Sequence, residues 1–474
     1  MALDAQANWN ICMAENLKRT MKEKKQDRSY TEPALGTESR TEPTMAIDAT
    51  ERLTPKRDPV HLPDELILQI LDYTRIHASA QSTLASCALV SRQWYAATIP
   101  ILYHAPGLYG QNFDPFVRTL CPSIIAHVRD SPLSSLVKIL DMSGLVHQSS
   151  KSLTARLLGR TKGNLEEFRA PQASFAINCL PALSKCVRLR ILDLSLVSES
   201  PPLPELLRTT ANLRNLQAMR LPRSSGFGVH HKPSSFASLA SLWPQNLQDL
   251  TLSGGIDAHF LHGIVAFPST LRSLTIEHCP NAKGFAVTHL LKTAVRPLAK
   301  LESLKIAHIP RLSSHALDDV LFLLPQINRL SVSVDYVTPA LFDEGHFHHL
   351  KHSLPAFNAE GDEQQPSPSS PLIHKNIRTL ELTNSGSPSG IEDKITPIDI
   401  MIAIDEGSIP NLRQVRVAKS LLWQSSSTRE DVEALTEALQ EGARRDWEGR
   451  VWLFEGVKGK RGWRDVAGVW AFEG

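Results

Sequence analysis

The sequence predicts a mixed α/β fold, in which a pair of N-terminal helices precedes a long stack of short strands joined by crossover segments. Two observations predict this fold. Between His61 and Pro100, apolar residues recur at helical spacing in two blocks that a polar gap separates. After Pro132, a short phrase with apolar residues at its first, fourth and sixth positions returns ten times. The sequence therefore divides into a helical part and a strand-containing part.

Composition sets the broad class of the protein. The chain has 474 residues, 42% of them apolar, which is typical of a folded protein with several domains or one elongated array. The net charge of +2 gives no support for binding to nucleic acid or to an anionic membrane surface. No apolar run reaches the roughly eighteen residues that a membrane-spanning helix needs. We therefore expect no nucleic-acid partner and no membrane partner.

The cysteine pattern indicates a reducing compartment. The six cysteines are scattered, none forms a CxxC pair, and no secretory signal is recognisable. We therefore expect a cytoplasmic and/or nuclear protein without a disulfide framework. The cysteines are Cys12, Cys87, Cys121, Cys179, Cys186 and Cys279.

The first helical block opens with Leu62 and Pro63, and proline is well tolerated where a helix begins. Asp64 and Glu65 then place negative charge in the first turn, which suits the positive end of the helix dipole. Apolar residues continue at helical spacing through both blocks. They are Leu66, Ile67, Ile70 and Leu71 in the first block, and Leu84, Cys87, Ala88, Val90, Trp94 and Tyr95 in the second, where Ser91 also follows the helical spacing.

The Leu-Pro-x-Glu-Leu opening, the apolar pair that follows it and the Leu-Val-Ser-Arg-x-Trp close resemble the F-box over roughly residues 60–105. The resemblance implies that the SKP adaptor and, through it, cullin and RING subunits are partners. The span from Asp72 to Thr83 is longer and more polar than a tight F-box turn, and we expect it to loosen the middle helix. The adaptor-binding or hairpin-forming candidates that the resemblance gives are Leu62, Pro63, Leu66, Ile70, Leu71, Val90 and Trp94.

The returning phrase is Leu-x-x-Leu-x-Leu with substitutions. Its last two apolar positions lie two apart and so point to the same face of a strand. One such strand cannot bury this face alone, whereas a stack of ten buries a continuous core. The copies are Val137/Leu140/Met142, Leu165/Phe168/Ala170, Leu189/Leu192/Leu194, Leu216/Met219/Leu221, Leu247/Leu250/Leu252, Leu271/Leu274/Ile276, Leu301/Leu304/Ile306, Ile327/Leu330/Val332, Ile377/Leu380/Leu382 and Leu412/Val415/Val417.

This phrase, which recurs at intervals of 24 to 31 residues in its first eight copies, resembles the leucine-rich repeat. In the copy TLRSLTIEHCPN, Cys279 occupies the Asn or Cys position of the longer family pattern. The resemblance implies that its side chain turns inward and meets backbone groups, so we interpret Cys279 as structural. The full fold class predicted is α/β, with N-terminal all-α F-box helices followed by a leucine-rich-repeat solenoid (horseshoe), and with a disordered N-terminal arm.

These patterns divide the chain into five segments. The first is polar and contains proline, so it cannot bury enough apolar area to offset its ordering entropy. The segments are residues 1–58, a disordered arm; 59–105, the F-box; 106–132, linker helices; 133–425, irregular leucine-rich repeats with a disordered insertion at about 354–372; and 426–474, a Trp-rich C-terminal cap.

Five of the eight tryptophans lie after residue 420, and four of them belong to the C-terminal segment. A helix is predicted from about Glu430 to Arg444, and a strand over Arg450–Phe454. Such a segment would close the open end of the repeat core. A partner-binding surface is the alternative, because Trp is enriched at binding hot spots. In that alternative, Trp447 and Trp452 are possible substrate-binding residues.

No motif in the sequence predicts catalysis. GxSxG, P-loop, dinucleotide-binding and HExxH motifs do not occur. His348 and His352 are spaced i, i+4, which would suit two metal ligands on one helical face, but no third ligand follows at a suitable spacing. We therefore expect no catalytic residue, no cofactor and no metal site.

An F-box ahead of leucine-rich repeats resembles the substrate receptors of SCF-type cullin–RING ubiquitin ligases. The resemblance implies a non-catalytic subunit that raises the effective concentration of an unknown protein substrate near the conjugating enzyme. A non-degradative interaction scaffold with a repeat-based binding surface is the alternative. Binding to the SKP adaptor separates the two hypotheses.

Overall fold

The chain forms two compact units. A computed structural model describes residues 62–77, 80–122, 131–145, 150–223, 243–254, 256, 261, 267–294, 300–343, 374, 376–385, 394–448 and 466–473. The first unit contains residues up to 107 together with 111–136, and the second contains residues 108–110 and those from 137 onward.

The first unit is helical. Its helices are α1 (Asp64–Thr74), α2 (Ala80–Cys87), α3 (Arg92–His104) and α4 (Phe113–Leu120), and a short 3-10 turn covers Pro132–Leu136. Tyr103 of α3 stacks on Phe116 of α4, with 6.4 Å between the ring centroids. Further buried apolar side chains of this core are Ile67, Leu71, Leu84, Ala88, Ile99 and Leu102, together with Phe113 and Leu120 of α4.

The prediction of a long gap between the first two helices is wrong. Most of the span from Asp72 to Thr83 is helical, because α1 continues to Thr74 and α2 already begins at Ala80. The Thr74 hydroxyl donates a hydrogen bond to the carbonyl of Ile70 at 2.9 Å, which satisfies this polar side chain within the last turn of α1. The connection is therefore residues 75–79, although α2 has only eight residues.

Among its described residues, the second unit contains one sheet of eleven parallel strands. Each strand pairs with the strands that precede and follow it in the chain, so the spatial order is the sequence order. The strands are β1 (Ile139–Asp141), β2 (Glu167–Arg169), β3 (Ile191–Asp193), β4 (Ala218–Arg220), β5 (Asp249–Ser253), β6 (Ser273–Glu277), β7 (Ser303–Ala307), β8 (Arg329–Ser333), β9 (Thr379–Thr383), β10 (Gln414–Ala418) and β11 (Gly468–Phe472).

The ten predicted strands are confirmed, and they share one register. The middle apolar residue of every phrase pairs with the middle apolar residue of the next, as in Leu140 with Phe168 and Leu330 with Leu380. None of the thirty apolar phrase residues is more than 3% exposed. At about 0.8 kcal/mol for each buried methylene group, these stacked rows supply the main favourable term for folding of the second unit.

Helices occupy several of the crossovers between strands. Helix α7 shows why these segments fold as helices: Pro204 stands in its first turn, and Leu203, Leu206, Leu207 and Thr210 form its buried face. The crossover helices are α5 (Lys151–Thr161), α6 (Leu180–Leu183), α7 (Leu203–Thr210), α8 (Gly284–Ala294), α9 (Val320–Leu323) and α10 (Pro397–Asp405), and α11 (Arg429–Glu448) precedes the last strand.

A backbone hydrogen-bond ladder crosses the edge at which the strands begin. The carbonyl of Gln248 accepts from the N–H groups of both Arg272 and Ser273, at 2.8 and 2.9 Å. The carbonyl of Arg272 in turn accepts from Glu302 and Ser303 at the same two distances. This shared-carbonyl arrangement repeats from β1 to β10, so the strands are held by the same local geometry despite their different crossovers.

A side-chain ladder lies one turn before the strands. The side-chain amide of Asn215 donates to the carbonyl of Val187 in the preceding repeat at 2.8 Å, and Asn246 donates likewise to Arg214 at 2.7 Å. Asn376 makes the equivalent bond to Pro325 at 2.9 Å. Each of these asparagines stands four residues before the middle apolar residue of its strand. The asparagine side chains thus provide hydrogen-bond donors for backbone carbonyl groups in the turns that lead into the strands.

The C-terminal helix is longer than predicted. Helix α11 covers Arg429–Glu448 rather than Glu430–Arg444, and it buries Leu435, Leu439, Gly442 and Ala443. Near its C-terminal end, Asp446 accepts two hydrogen bonds from the buried guanidinium of Arg413, at 2.7 and 3.2 Å. This bidentate ion pair fixes the last turns of α11 against the sheet and extends the helix beyond the predicted end.

A glycine makes this ion pair possible. A Cβ atom at position 442 would lie 2.8 Å from two guanidinium atoms of Arg413, which is closer than packing allows. Strand β11 follows, and the N–H of Gly468 donates to the carbonyl of Arg413 at 3.0 Å. The sequence predicted no strand here, so β11 is an addition to the predicted array.

Cys279 is structural, as predicted. Its side chain is completely buried, and its thiol lies 3.3 Å from the carbonyl oxygen of Glu277 and 3.8 Å from that of Leu252. Burial raises the pKa of the Cys279 thiol to about 12, so the thiol stays protonated at neutral pH. It therefore acts as an inward-pointing donor of the loop that follows β6.

Several predictions concern residues outside the described ranges. They are the disordered arm (1–58), the insertion (354–372), the strand at Arg450–Phe454, Trp452 and the histidine pair at 348 and 352. Within the described ranges, no helix combines the length and the apolar content needed to cross a bilayer. The same ranges hold no group of three or more His, Cys, Asp or Glu side chains suited to a metal ion.

Candidate functional site

Exposed apolar side chains are concentrated in the first unit. Among the described residues, seven of the seventeen strongly exposed large apolar side chains lie between residues 66 and 90. Large contiguous apolar surfaces are uncommon on isolated proteins and mark interaction sites. The seven are Leu66, Leu68, Ile70, Tyr73, Ile76, Leu89 and Val90.

Helix α1 presents two adjacent apolar faces. Ile67 and Leu71, one turn apart, are completely buried against the other helices of the unit. Leu66, Ile70 and Tyr73 form a second stripe at i, i+4 and i+7, and they are 46%, 43% and 65% exposed. A helix that needed only to pack on its own unit would expose polar residues on the second face. The second stripe is therefore available to a partner.

The start of α1 is tied to α3 by one side chain. The Gln93 side-chain amide donates to the carbonyl of Leu62 at 2.8 Å and to the carboxylate of Asp64 at 2.7 Å. Both acceptors lie at the first turn of α1, beside the exposed ring of Pro63. These bonds fix where the Leu-Pro opening stands relative to α3 within the unit.

The turn before α3 carries the remaining part of the surface. Ser91 caps α3, because its hydroxyl accepts a hydrogen bond from the N–H of Trp94 at 3.2 Å. In the turn that precedes this cap, Leu89 and Val90 point outward and are 44% and 66% exposed. The Leu-Val-Ser sequence thus positions two apolar side chains next to a capped helix.

The seven predicted site residues differ in how far the structure exposes them. Pro63, Leu66, Ile70 and Val90 are exposed, and Leu62 and Trp94 are half-buried. Leu71 does not belong to the surface: it is 0% exposed, because it stands one turn after Ile67 on the core stripe. Any role of Leu71 is therefore to support the unit from inside.

Sequence reasoning missed three members of this surface, namely Tyr73, Ile76 and Leu89, whereas Leu68 is exposed on the opposite side of α1. Tyr73 follows Ile70 by three residues, so helical spacing was a usable signal for its place on the exposed stripe. Ile76 follows the end of α1, where helical spacing no longer indicates a face. Leu89 stands next to the predicted Val90 in a turn, where no periodicity applies.

The chemistry of this surface is that of binding. Burial raises the pKa of the Tyr95 phenol. Acidic Asp64 and Glu65 are exposed at the start of α1 and form part of a polar rim. An apolar centre with charged residues at its edge is the usual composition of a protein interface.

A second candidate surface is the open sheet face, which we define as the face formed by the residues one before, one after and, in the five-residue strands, three after each middle apolar residue. Asp141 pairs with Arg169 at 2.8 Å, and Asp193 pairs with Arg220 at 2.9 Å, between neighbouring strands. Burial alone would raise the pKa of Asp141, but hydrogen bonds from Ser143 and Arg169 outweigh it and lower that pKa. These charges are therefore fixed in place on the sheet.

Of the two predicted substrate-binding tryptophans, Trp447 is on α11, not on this face, and is 47% exposed. Trp452 is outside the described residues. Trp470, which sequence analysis did not single out as a site residue, stands on β11 opposite Arg416 of β10 and is 38% exposed.

The fold and the apolar surface define a chain with a small helical docking unit ahead of a sheet of sequential parallel strands. Residues 60–108 match the F-box-like family model. F-box protein YDR306C of Saccharomyces cerevisiae is 33% identical over 341 residues, covering 72% of this chain and 63% of that protein. Protein pof5 of Schizosaccharomyces pombe is 28% identical over 365 residues, covering 77% of this chain and 90% of that protein.

The chain therefore contains an F-box-like domain at residues 60–108, and it is similar to F-box protein YDR306C over 72% of its own length. The matched region spans less than two thirds of the length of the S. cerevisiae relative. A crystal structure of the Rad7 and Elc1 complex in yeast contains a similar chain, with a TM-score of 0.41 and 16% identity. That alignment covers 60% of this chain and 64% of the other.

Proposed function

We propose that this protein is the substrate-recognition subunit of an SCF-type cullin–RING ubiquitin ligase. The F-box-like domain docks on the SKP adaptor, which connects it to the cullin and RING subunits. The second unit, which we interpret as a leucine-rich-repeat solenoid, binds the target protein. The chain itself does no bond-making and acts by holding the target near the conjugating enzyme.

The observation that carries this proposal is the exposed stripe of α1. Leu66 and Ile70 lie outward within a segment that matches the F-box-like model, while Ile67 and Leu71 fill the core. Burying one leucine side chain at an interface contributes about 2 kcal/mol, so a few such residues are enough for specific docking. Val90 adds a further exposed apolar side chain from the turn before α3.

Two leucines of α1 allow a matched test. Leu66 and Leu68 are both 46% exposed, and at about 100° per residue they point to nearly opposite sides of the helix. We expect Leu66→Ala to weaken binding of the SKP adaptor about thirtyfold, which corresponds to roughly 2 kcal/mol of lost burial. We expect Leu68→Ala to bind within about twofold of wild type. The measurement is titration calorimetry of the full chain with the purified adaptor.

Absence of adaptor binding by the wild-type chain would exclude the ligase proposal. Equal losses in the two variants would show that the stripe of Leu66 and Ile70 is not the docking surface. Leu71→Ala is unsuitable for this test, because removing a buried leucine side chain costs about 2–5 kcal/mol and would disrupt the unit itself.

The second candidate function is a non-degradative scaffold. The continuous open sheet face favours it, since such a face can assemble proteins without any ligase. The distinguishing measurement is the turnover of proteins that bind the chain. In a scaffold, Leu66→Ala would leave the abundance of those proteins unchanged, whereas in a ligase subunit it would raise their abundance.

A further inference from the structure

Two arginines share one carboxylate at the C-terminal end of the open sheet face. Arg416 Nη1 lies 2.8 Å from Glu381 Oε2, and Arg329 Nη2 lies 3.4 Å from the same oxygen. The other oxygen, Oε1, accepts a hydrogen bond from the hydroxyl of Ser331 at 3.1 Å. The side chain of Glu381 is 12% exposed, against 38% for Arg416 and 47% for Arg329. One largely buried carboxylate therefore serves two exposed cations.

Elsewhere on the open sheet face the charge balance is reversed. Over β1 to β7, Arg169, Arg220 and Lys305 each lie within 2.9 Å of a carboxylate of their own, on Asp141, Asp193 and Glu277. Glu167 and Asp249 add negative charge to the same strands. Among the described residues of this face, an excess of cations is thus confined to β8–β11.

Aromatic side chains border the two arginines. The Phe472 ring lies 5.2 Å from the guanidinium carbon of Arg416, within the range of a cation–π contact. Trp470 pairs in register with Arg416 and stands two residues before Phe472, so all three side chains point to the same side of the sheet. The Phe472 ring therefore lies beside the guanidinium of Arg416, whose side chain stays 38% exposed.

This arrangement has the chemistry of an oxyanion site. A guanidinium carries five N–H donors in a rigid fork, and the ion pair with Glu381 uses one N–H of each arginine among the described contacts. Exposed arginines next to tryptophan are also the residue types enriched at binding hot spots. An incoming carboxylate would give the two arginines one carboxylate each, as Arg169, Arg220 and Lys305 have on β2, β4 and β7.

We propose that Arg329, Arg416, Trp470 and Phe472 form a docking surface for an acidic peptide segment of a partner protein. The acidic side chain of that segment binds the exposed edges of the two guanidinium groups, and a neighbouring apolar side chain packs on Trp470. This inference rests on the proposed function in one respect only. If the chain is a ligase subunit, the bound segment belongs to its substrate. Adaptor binding is tested with substitutions at other residues, so the ligase proposal and the peptide-binding proposal can fail independently.

The test uses the full chain and a positional-scanning library of short peptides that includes Asp, Glu, phosphoserine and phosphothreonine at each scanned position. We expect wild type to select an anionic residue over Lys and Arg at one or more positions. Arg416→Gln and Arg329→Gln should each reduce binding of the selected peptide about tenfold or more, since each removes a charge-assisted hydrogen bond.

Arg220→Gln is the matched control. Arg220 occupies the equivalent position on β4, is exposed and has Asp193 as its own partner, so peptide binding should stay within about twofold of wild type. Selection of Asp and Glu identifies a carboxylate ligand, and selection of the phosphorylated residues alone identifies a phosphoryl ligand. Either supports an oxyanion site. Absence of any anion preference, or an equal loss in Arg220→Gln, would overturn the proposal.

Discussion

At the scale of single residues, Asp335 shows how a buried charge fixes the ends of neighbouring strands. It accepts a hydrogen bond from the Ser333 hydroxyl at 3.1 Å and from the N–H of Ser385 at 2.9 Å, and it pairs with Lys394 at 3.1 Å. Ser333 closes β8, and Ser385 follows β9. The carboxylate therefore joins two strand ends that are distant in sequence. A buried charge persists only with such partners.

This network predicts a pH-dependent stability. Burial alone would raise the pKa of Asp335, but the hydrogen bonds from Lys394, Ser333 and Ser385 outweigh it and lower that pKa below its usual value. A carboxyl group with a lowered folded pKa stabilises the protein above its unfolded pKa, which is near 4. The protein loses that stability as the pH falls through the folded pKa. We expect Asp335→Asn to cost about 2 kcal/mol at pH 7.

The measurement is urea unfolding of wild type and Asp335→Asn over a pH series. The variant should show a smaller fall in unfolding free energy below about pH 4, because one carboxyl group with a lowered pKa is missing. Parallel curves for the two proteins, separated by a constant offset, would contradict the role given to the Asp335 charge.

At the scale of the element, each strand is fixed by the turn that precedes it as well as by its pairing. The side chains of Asn215, Asn246 and Asn376 reach back to a carbonyl of the preceding repeat. Thr270 makes the same bond to Gln245 at 3.1 Å, so a hydroxyl replaces the amide in one copy. The ladder therefore tolerates different donors at a constant position.

The ladder is tested with two asparagines from one turn. Asn215 donates to Val187 at 2.8 Å, whereas the side chain of Asn212 has no hydrogen-bond partner among the described residues, and both residues are exposed. We expect Asn215→Ala to lower the unfolding free energy by about 1 kcal/mol, the net contribution of one hydrogen bond. Asn212→Ala should change it by less than about 0.5 kcal/mol. Chemical denaturation measures both, and equal effects would show that the ladder bond does not contribute.

The ten strands could be predicted because their apolar residues repeat at one spacing, and because a stack of strands has only one face on which to bury them. The strand β11 fits the same phrase with smaller residues, as Val466, Val469 and Ala471. Its small apolar residues make the phrase less distinct than in the other ten copies. The asparagine ladder could not be predicted from the phrase, because its donors stand before the strands, where the apolar spacing carries no information.

The division of the F-box residues could not be predicted. Leu66, Ile67, Ile70 and Leu71 are all large aliphatic residues, and helical spacing groups them without saying which side meets the core. Only the packing of α2 and α3 decides that Leu71 lies inside and Leu66 outside. The oxyanion surface was hidden for a related reason. Arg329, Glu381 and Arg416 are far apart in sequence and become neighbours only through the strand register.

At the scale of the whole molecule, the second unit has a one-dimensional organisation. Each inner strand is hydrogen-bonded to two neighbours, whereas among the described residues β1 and β11 are each bonded to one. Contacts between neighbouring repeats then determine local stability, and repeats at the ends open most easily. Strand β1 has three residues, while β5 to β8 have five each.

Hydrogen exchange of the full chain tests this organisation. We expect the backbone amides of β5 to β8 to exchange slowest and those of β1 to exchange fastest among the strands, because end repeats open without disturbing the middle. Mass spectrometry of peptic fragments provides the measurement. A single exchange rate for all strands, equal to that of global unfolding, would show that the sheet opens as one cooperative block instead.

The shared-carbonyl ladder has a consequence for how such a chain can change over time. Middle apolar residues 24 apart, as in Leu250 and Leu274, and 50 apart, as in Leu330 and Leu380, pair in the same register. The length of a crossover therefore does not change the geometry of the open sheet face. Insertions or deletions between repeats can accumulate without displacing a single residue of the open sheet face. An engineer could lengthen a crossover to carry a tag or a second domain and keep the recognition surface unaltered.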